Sequence, residues 1–316
     1  MALKKLNASY TLKVDEIFEN KGWEMEPEKD LSISLYNKYI DRLRKIPDET
    51  RSLFLELTER FDKIELMEIT SLFFKAYQNI DCNLLEKARR IYFLPLVDPV
   101  IELNSLSQNK GCFTSLMFWR SSSNHTLEVD RPKNKSGENI LAIFETSEYR
   151  ALKYSQKFNF PRNYSRFKQA FDKEKDLLIL VDDFVGTGDT ADGVLDYYFN
   201  TDNFNSLNTI ILCLVSLKQG KINVMRKKNV RIFESVIRER GISDFYDNQK
   251  EIEENISKVK LMEQELRCEP ELTLGYKQSE ALISILNKSP NNTLPVFWHE
   301  TKINPAPFPR RKIFNQ

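Results

Sequence analysis

LLILVDDFVGTGDTADGVL, residues 177–195, decides how this chain is read: three of its nine glycines and four of its aspartates fall here. The apolar run from Leu177 to Val181 leads straight into Asp182 and Asp183. Gly186-Thr187-Gly188 follows, and Asp189, Thr190 and Ala191 then open a helical stretch. Such a run suits a central parallel strand. Carried unbroken through Val185, it would place one or both carboxylates in the sheet interior, where an unpaired charge is costly or takes up a proton. The strand is therefore expected to end near Val181, with both acids at its C-terminal mouth, where open α/β sheets bind ligands. Gly186 and Gly188 lack a Cβ, which lets the backbone come close to a ligand. The free N–H groups and dipole of the following helix favour an anion by about 0.3–2 kcal/mol. Carboxylates beside an anion cradle fit a sugar phosphate, with phosphate in the amide loop and ribose hydroxyls donating to the acids. Each such charge-assisted bond is worth roughly 1.5–3 kcal/mol.

The rest of the chain fits around that segment. Its 316 residues are 29% charged and 41% hydrophobic, enough for a sizeable core, and its 47 basic residues balance 46 acidic ones. No global field points to nucleic acid or a membrane surface. The basic clusters Arg226-Lys227-Lys228 and Arg310-Arg311-Lys312 read as solvated surface. Cys82, Cys112, Cys213 and Cys268 lack CxxC spacing, and only His125 and His299 could join them. That pattern argues against zinc and for reduced thiols in a cytoplasmic protein. No apolar run reaches the roughly 18 residues of a membrane span, and the first residues lack a signal-peptide core.

Helical spacing marks LYNKYIDRLRKI (35–46) and RSLFLELTERFDKIELMEI (51–69), with Asp48 as an N-cap between them. IYFLPLV (91–97), CFTSLMFW (112–119), ILAIFE (140–145), TIILCLVSL (209–217) and VRIFESVI (230–237) read as strands. GKINVMRKKN (220–229) reads as a short helix, and Ser121 to Glu138 as a polar surface loop. A charged amphipathic helix is expected from Asp247 to Cys268, with Ile252, Ile256, Val259 and Met262 on one side. The proline-punctuated tail from Ser289 suits turns and an edge strand, with Trp298 buried. The fold expected is α/β, a mostly parallel sheet flanked by helices, with an N-terminal helical region over 1–84. The α/β domain is expected over 85–300 and a basic, Pro-rich tail over 301–316.

From Ile179 to Thr190 the sequence ILVDDFVGTGDT resembles the phosphoribosyl pyrophosphate (PRPP) signature of type I phosphoribosyltransferases. That signature runs from apolar residues through two acids, an apolar residue and two variable positions to Thr-Gly-x-Thr. The resemblance implies that Asp182 and Asp183 hold the ribose 2′ and 3′ hydroxyls and form the catalytic pair. It implies that Gly186, Thr187, Gly188, Asp189 and Thr190 wrap the 5′-phosphate, that Mg²⁺ rides on the pyrophosphate, and that chemistry occurs at ribose C1′. No residue is assigned to a metal. Purine-type members often carry an acid just before the Thr-Gly, and Gly186 stands there instead. The pyrophosphate loop is sought at LPLVDP (94–99) or QNKGCFT (108–114); Lys110 and Arg120 read first as plain surface residues and second as candidate pyrophosphate contacts.

The long N-terminal helices, the divergent motif and the tail GY…SPNNTLPVFW (Gly275-Tyr276, then Ser289 to Trp298) resemble phosphoribosyltransferase-like effectors of bacterial conflict systems. Some of these are encoded beside retron reverse transcriptases. That resemblance implies an anti-phage effector held in check by partners such as a reverse transcriptase with its non-coding RNA/DNA, with self-association left open. Rival readings are weaker. GTGDTA (186–191) fits a dinucleotide fingerprint, but two acids interrupt the strand and the next strand ends in Ser216-Leu217-Lys218, without the acid needed there. A methyltransferase loop lacks its base-holding tetrapeptide, and no GK[ST] follows for a Walker loop. A sensor that binds PRPP or a nucleotide without chemistry stays open because of Gly186.

Overall fold

Alternating apolar runs and helical stretches form an α/β architecture. The computed structural model describes residues 6–25, 34–97, 136–162, 164–201, 204–286, 288–301 and 304–310. Its elements begin with α1 (Ala8–Lys21), α2 (Leu35–Lys45), α3 (Arg51–Glu59), β1 (Asp62–Ile64), α4 (Leu66–Gln78) and α5 (Cys82–Lys87). Next come β2 (Ile91–Pro95), α6 (Ser136–Thr146), β3 (Phe158–Asn159), α7 (Tyr164–Ala170), β4 (Leu177–Val185) and α8 (Asp189–Thr201). The chain continues through β5 (Thr209–Leu217), α9 (Lys218–Lys228), β6 (Arg231–Arg238), α10 (Gln249–Glu265), β7 (Ile283–Ile285) and α11 (Pro295–Trp298). Contacts group the chain into one unit of residues 67–237 and another made of residues 1–66 with 238–316. The boundaries expected at 84/85 and 300/301 followed composition; this grouping follows contacts.

The 67–237 unit holds a five-stranded sheet in the order β3-β2-β4-β5-β6. The β2/β3, β2/β4 and β4/β5 pairs are parallel. β5 is buried along its whole length and β4 nearly so, as continuous apolar runs require. Leu178, Leu180, Ile211 and Val224 share a core with Val194, Leu195 and Tyr198 of α8. The β2 ladder stops where Pro95 pairs Val181. The β5 ladder continues past it, through Asp182↔Cys213 to Val185↔Ser216. The strand therefore does not end near Val181 as expected; it overhangs its β2 neighbour and carries both acids within it. Pairing with β5 alone suffices to hold the overhang extended.

Residues 140–145, expected as a strand, lie inside α6. Ile140, Leu141 and Phe144 are buried while Asn139 and Ala142 are exposed, a helical rather than alternating pattern. The end of the expected polar loop, Ser136 to Glu138, is the first turn of that helix. The strand expected at 112–119 lies outside the described residues.

In the other unit β1 and β7 pair in parallel, Asp62 opposite Ile283. The helix expected to run on from residue 51 breaks after Glu59; Phe61 then stacks on Phe308 at 4.4 Å and packs on Phe297 at 4.6 Å. Asp48 is no N-cap: it makes an ion pair with Arg51 at 2.8 Å, within a 3₁₀ turn from Asp48 to Thr50. α10 buries Val259 and Met262, with Ile252 and Ile256 packed alongside. The tail has a short helix, Pro295–Trp298, where an edge strand was expected. Proline suits the first helical turn, and buried Trp298 donates its indole N–H to the Thr293 carbonyl at 2.7 Å. Fully buried Arg42 of α2 donates to the His299 carbonyl at 2.7 Å.

Candidate functional site

The overhang of β4 gives the site its first wall. Asp182 is buried, only 8% exposed, while Asp183 is half-buried. Asp182 Oδ1 accepts from the Ser136 hydroxyl at 2.7 Å and from the Asp183 backbone N–H at 2.9 Å. Burial, then the charge of Asp183, hold the Asp182 carboxyl well above the usual carboxylate range, and a side-chain hydrogen bond with Asp183 acts in the same direction. The Ser136 hydroxyl and the backbone N–H oppose that shift. Burial and the neighbouring carboxylate thus both work against ionisation of Asp182.

The second wall is the Gly/Thr loop. Gly188 has φ +87°, and Asp192 N–H donates to its carbonyl at 2.8 Å as α8 begins. A Cβ on Gly188 would lie 2.8 Å from Val224 Cγ2 and 3.1 Å from the Gly220 carbonyl oxygen. Its missing side chain therefore makes room for α9. Gly220 is tighter still, since a Cβ there would lie 2.0 Å from the Gly186 carbonyl oxygen. Asn223 Nδ2 donates to the Thr187 carbonyl at 3.2 Å. The first turns of α9 thus clamp residues 186–188 from behind. Thr187 is half-buried and Thr190 exposed. In α8, Asp192 is ion-paired to Lys227 at 2.8 Å and Lys228 at 3.1 Å, so part of the helix's acidic charge is neutralised by α9.

The third wall was missed in the sequence. α6 packs on β2 and β4, and its first turn reaches the point where β2 ends. A Cβ on Gly137 would lie 2.3 Å from the Val181 carbonyl oxygen, so only glycine permits this seat. Ser136 is thereby brought to Asp182. The signal was there as Ser-Gly-Glu ahead of an apolar run, a plausible helix start read instead as loop. Of the pyrophosphate-loop candidates, Leu94 to Val97 are described at the end of β2, whereas Asp98, Pro99, Lys110 and Arg120 lie outside the described residues. A further carboxylate, buried Glu234 on β6, pairs with Lys221 of α9 at 2.7 Å. Burial pushes the Cys213 thiol up, with Glu234, Asp182 and Asp183 adding to the shift. Among the described residues no group of three or more His, Cys, Asp or Glu side chains could hold a metal ion, and no helix is long and apolar enough to cross a membrane.

A family model, PRTase-CE, matches residues 117–310, which include the acid pair, the loop and both flanking elements. The chain belongs to the PRTase-CE family. This PRTase-CE chain is also similar to a solved orotate phosphoribosyltransferase from Aeropyrum pernix, at 10% identity and a TM-score of 0.27, over 71% of this chain and 93% of that one. No curated protein matches it. The family match and the architecture, a mostly parallel sheet flanked by helices with a helical N-terminal region, agree with the phosphoribosyltransferase-like fold expected from the motif.

Proposed function

We propose that this PRTase-CE protein binds PRPP or a nucleoside 5′-phosphate and acts at ribose C1′. The observation that carries the reading is the acid pair on the β4 overhang, followed at once by the clamped Gly186–Gly188 turn and the N-terminus of α8. The 5′-phosphate takes the backbone N–H groups of residues 187–190 and the hydroxyls of Thr187 and Thr190. The ribose hydroxyls meet Asp182 and Asp183. The negative charge of this acid pair stabilises an oxocarbenium-like C1′ as the leaving group departs. Mg²⁺ enters as part of the substrate, on the pyrophosphate. The resemblance to conflict-system effectors adds the setting: anti-phage defence, with partners such as a reverse transcriptase and its non-coding RNA/DNA.

The test is mass spectrometry of a nucleotide and RNA pool incubated with the protein, with and without Mg²⁺–PRPP. A new ribosylated or cleaved product is expected, and the double variant Asp182→Asn/Asp183→Asn should weaken PRPP binding at least about tenfold, equivalent to ~1.4 kcal/mol. Unchanged affinity in that variant would refute the site. A second reading, a sensor without chemistry, is favoured by one observation: Gly186 occupies the position where an acid would move a proton. Tight PRPP binding with no product would select it.

A further inference from the structure

We propose that Ser136 is the positioning residue of the acid pair: its hydroxyl, together with the Asp183 N–H, pins Asp182 Oδ1 and so fixes the plane in which the carboxyl is presented. The inference rests on the ribose-phosphate reading of the site, and it assigns a role to a residue outside the motif. Asp182 Oδ1 takes two donors from two separate elements, the Ser136 hydroxyl at 2.7 Å and the Asp183 N–H at 2.9 Å. Two donors on one oxygen fix the plane of the carboxyl, since rotation about its terminal bond would break both. A carboxyl so fixed presents its second oxygen in one direction.

The serine is itself held in place. Gly137 is seated against the Val181 carbonyl, with a would-be Cβ at 2.3 Å from that oxygen and 3.3 Å from Leu96 N. Leu96 N–H in turn donates to the same Val181 carbonyl at 2.8 Å. The first turn of α6 is thus locked to the last rung between β2 and β4, one residue before Asp182. The hydroxyl belongs to a short, rigid path from backbone to acid, which is what a pre-organised site requires.

The groups around Asp182 make the hydrogen bond chemically active. Asp183 lies beside it on β4, Cys213 opposite it on β5, Ser136 on α6 with Glu138 two residues on, and the Glu234–Lys221 pair acts on the same Cys213. Ser136 is a neutral donor that favours the ionised carboxyl against the repulsion of Asp183. Removing it leaves the acid mobile and more firmly protonated, so it weakens ligand binding and moves its pH dependence upward.

The experiment uses the full chain as wild type, Ser136→Ala and Ser136→Thr. Calorimetric titration with Mg²⁺–PRPP should show about a tenfold loss in Ser136→Ala, near-wild-type affinity in Ser136→Thr, and a binding pH profile displaced upward in the alanine variant only. A second readout needs no ligand. In protein labelled with ¹³C at aspartate carboxyls, the resonance absent from Asp182→Asn should titrate at higher pH in Ser136→Ala than in wild type. Unchanged affinity and an unchanged carboxyl titration in Ser136→Ala would overturn the proposal. So would equal losses in Ala and Thr variants accompanied by the same fall in melting temperature, which would make Ser136 merely structural. If wild type binds no PRPP, the function reading fails, and the carboxyl titration alone decides the role of Ser136.

Discussion

Gly220→Ala separates a Gly186–Gly188 turn held by α9 from one that holds itself. Residue 220 lies in the first turn of α9, where alanine is favoured over glycine by about 0.5–1 kcal/mol. An added methyl would lie 2.0 Å from the Gly186 carbonyl oxygen, against a limit of 3.0 Å below which real Cβ atoms essentially never fall. The obstruction is main chain, not a flexible side chain, so the loop or the helix must retreat by about 1 Å, the difference between those two distances. Overpacking of this kind costs about 1–3 kcal/mol. After the helix gain the expected net loss is about 1–2 kcal/mol, seen as a fall in melting temperature of roughly 2–8 °C. The loop carries the amides assigned to the 5′-phosphate, and a displacement of about 1 Å is enough to cost a large factor at such a site. PRPP affinity should fall at least about tenfold, more than the stability loss alone implies at a temperature where the variant is fully folded. Differential scanning calorimetry and PRPP titration on one preparation read both quantities. A variant as stable as wild type that binds equally well would show that α9 does not set the loop's position.

Two further predictions concern buried acids, and their signs follow from linkage. The Asp182 carboxyl is raised in the folded state, so its contribution to stability is fully present below about pH 4 and is lost as pH rises toward the folded value. Asp182→Asn mimics the protonated form, so the variant should gain on wild type by up to about 1.4 kcal/mol per pH unit as pH rises through that window; urea denaturation at about pH 5 and about pH 8 measures it, and parallel curves would contradict it. Glu263 of α10 is pushed up to about 8 by burial, although the Leu274 N–H donates to it. Stability from this group is likewise present below about pH 4.3 and lost as pH climbs to its folded value, so wild type should melt lower at about pH 8.5 than at about pH 6, and Glu263→Gln should flatten that slope. An unchanged slope in the glutamine variant would place the titrating group elsewhere.

Elements whose identity depends on local pattern were legible from the residues. β5 runs over the expected 209–217, and β2, β6, α9 and α10 fall within a few residues of their expected spans, because apolar runs and amphipathic spacing are local properties. The loop after Val185 and the helix starting at Asp189 were also readable. What was not readable depends on partners distant in the chain. Whether β4 stops at Val181 or continues is decided by β5, which pairs it four residues further than β2 does. Ile140 to Glu145 is an apolar run of ambiguous period, resolved by the sheet that buries only one side of it. β1 interrupts a helical pattern because β7, more than two hundred residues later, offers it a ladder. Ser136 escaped notice because a hydroxyl becomes informative only once its carboxylate neighbour is known.

The grouping of residues 1–66 with 238–316 has a consequence for the order in which the molecule is made. Phe61 needs Phe297 and Phe308, and Arg42 needs the His299 carbonyl, so the early helices cannot complete their core while the ribosome is still translating the sheet. The segment with the acid pair draws its contacts from a continuous stretch and can close as soon as that stretch has emerged. Synthesis therefore passes through a stage in which the unit holding the five-stranded sheet is finished while Trp23, Tyr39 and Phe54 still wait for the aromatic side chains that will cover them. During that interval the nascent chain carries an uncovered aromatic surface, and the roughly eighty residues from 238 on act as its delayed cover.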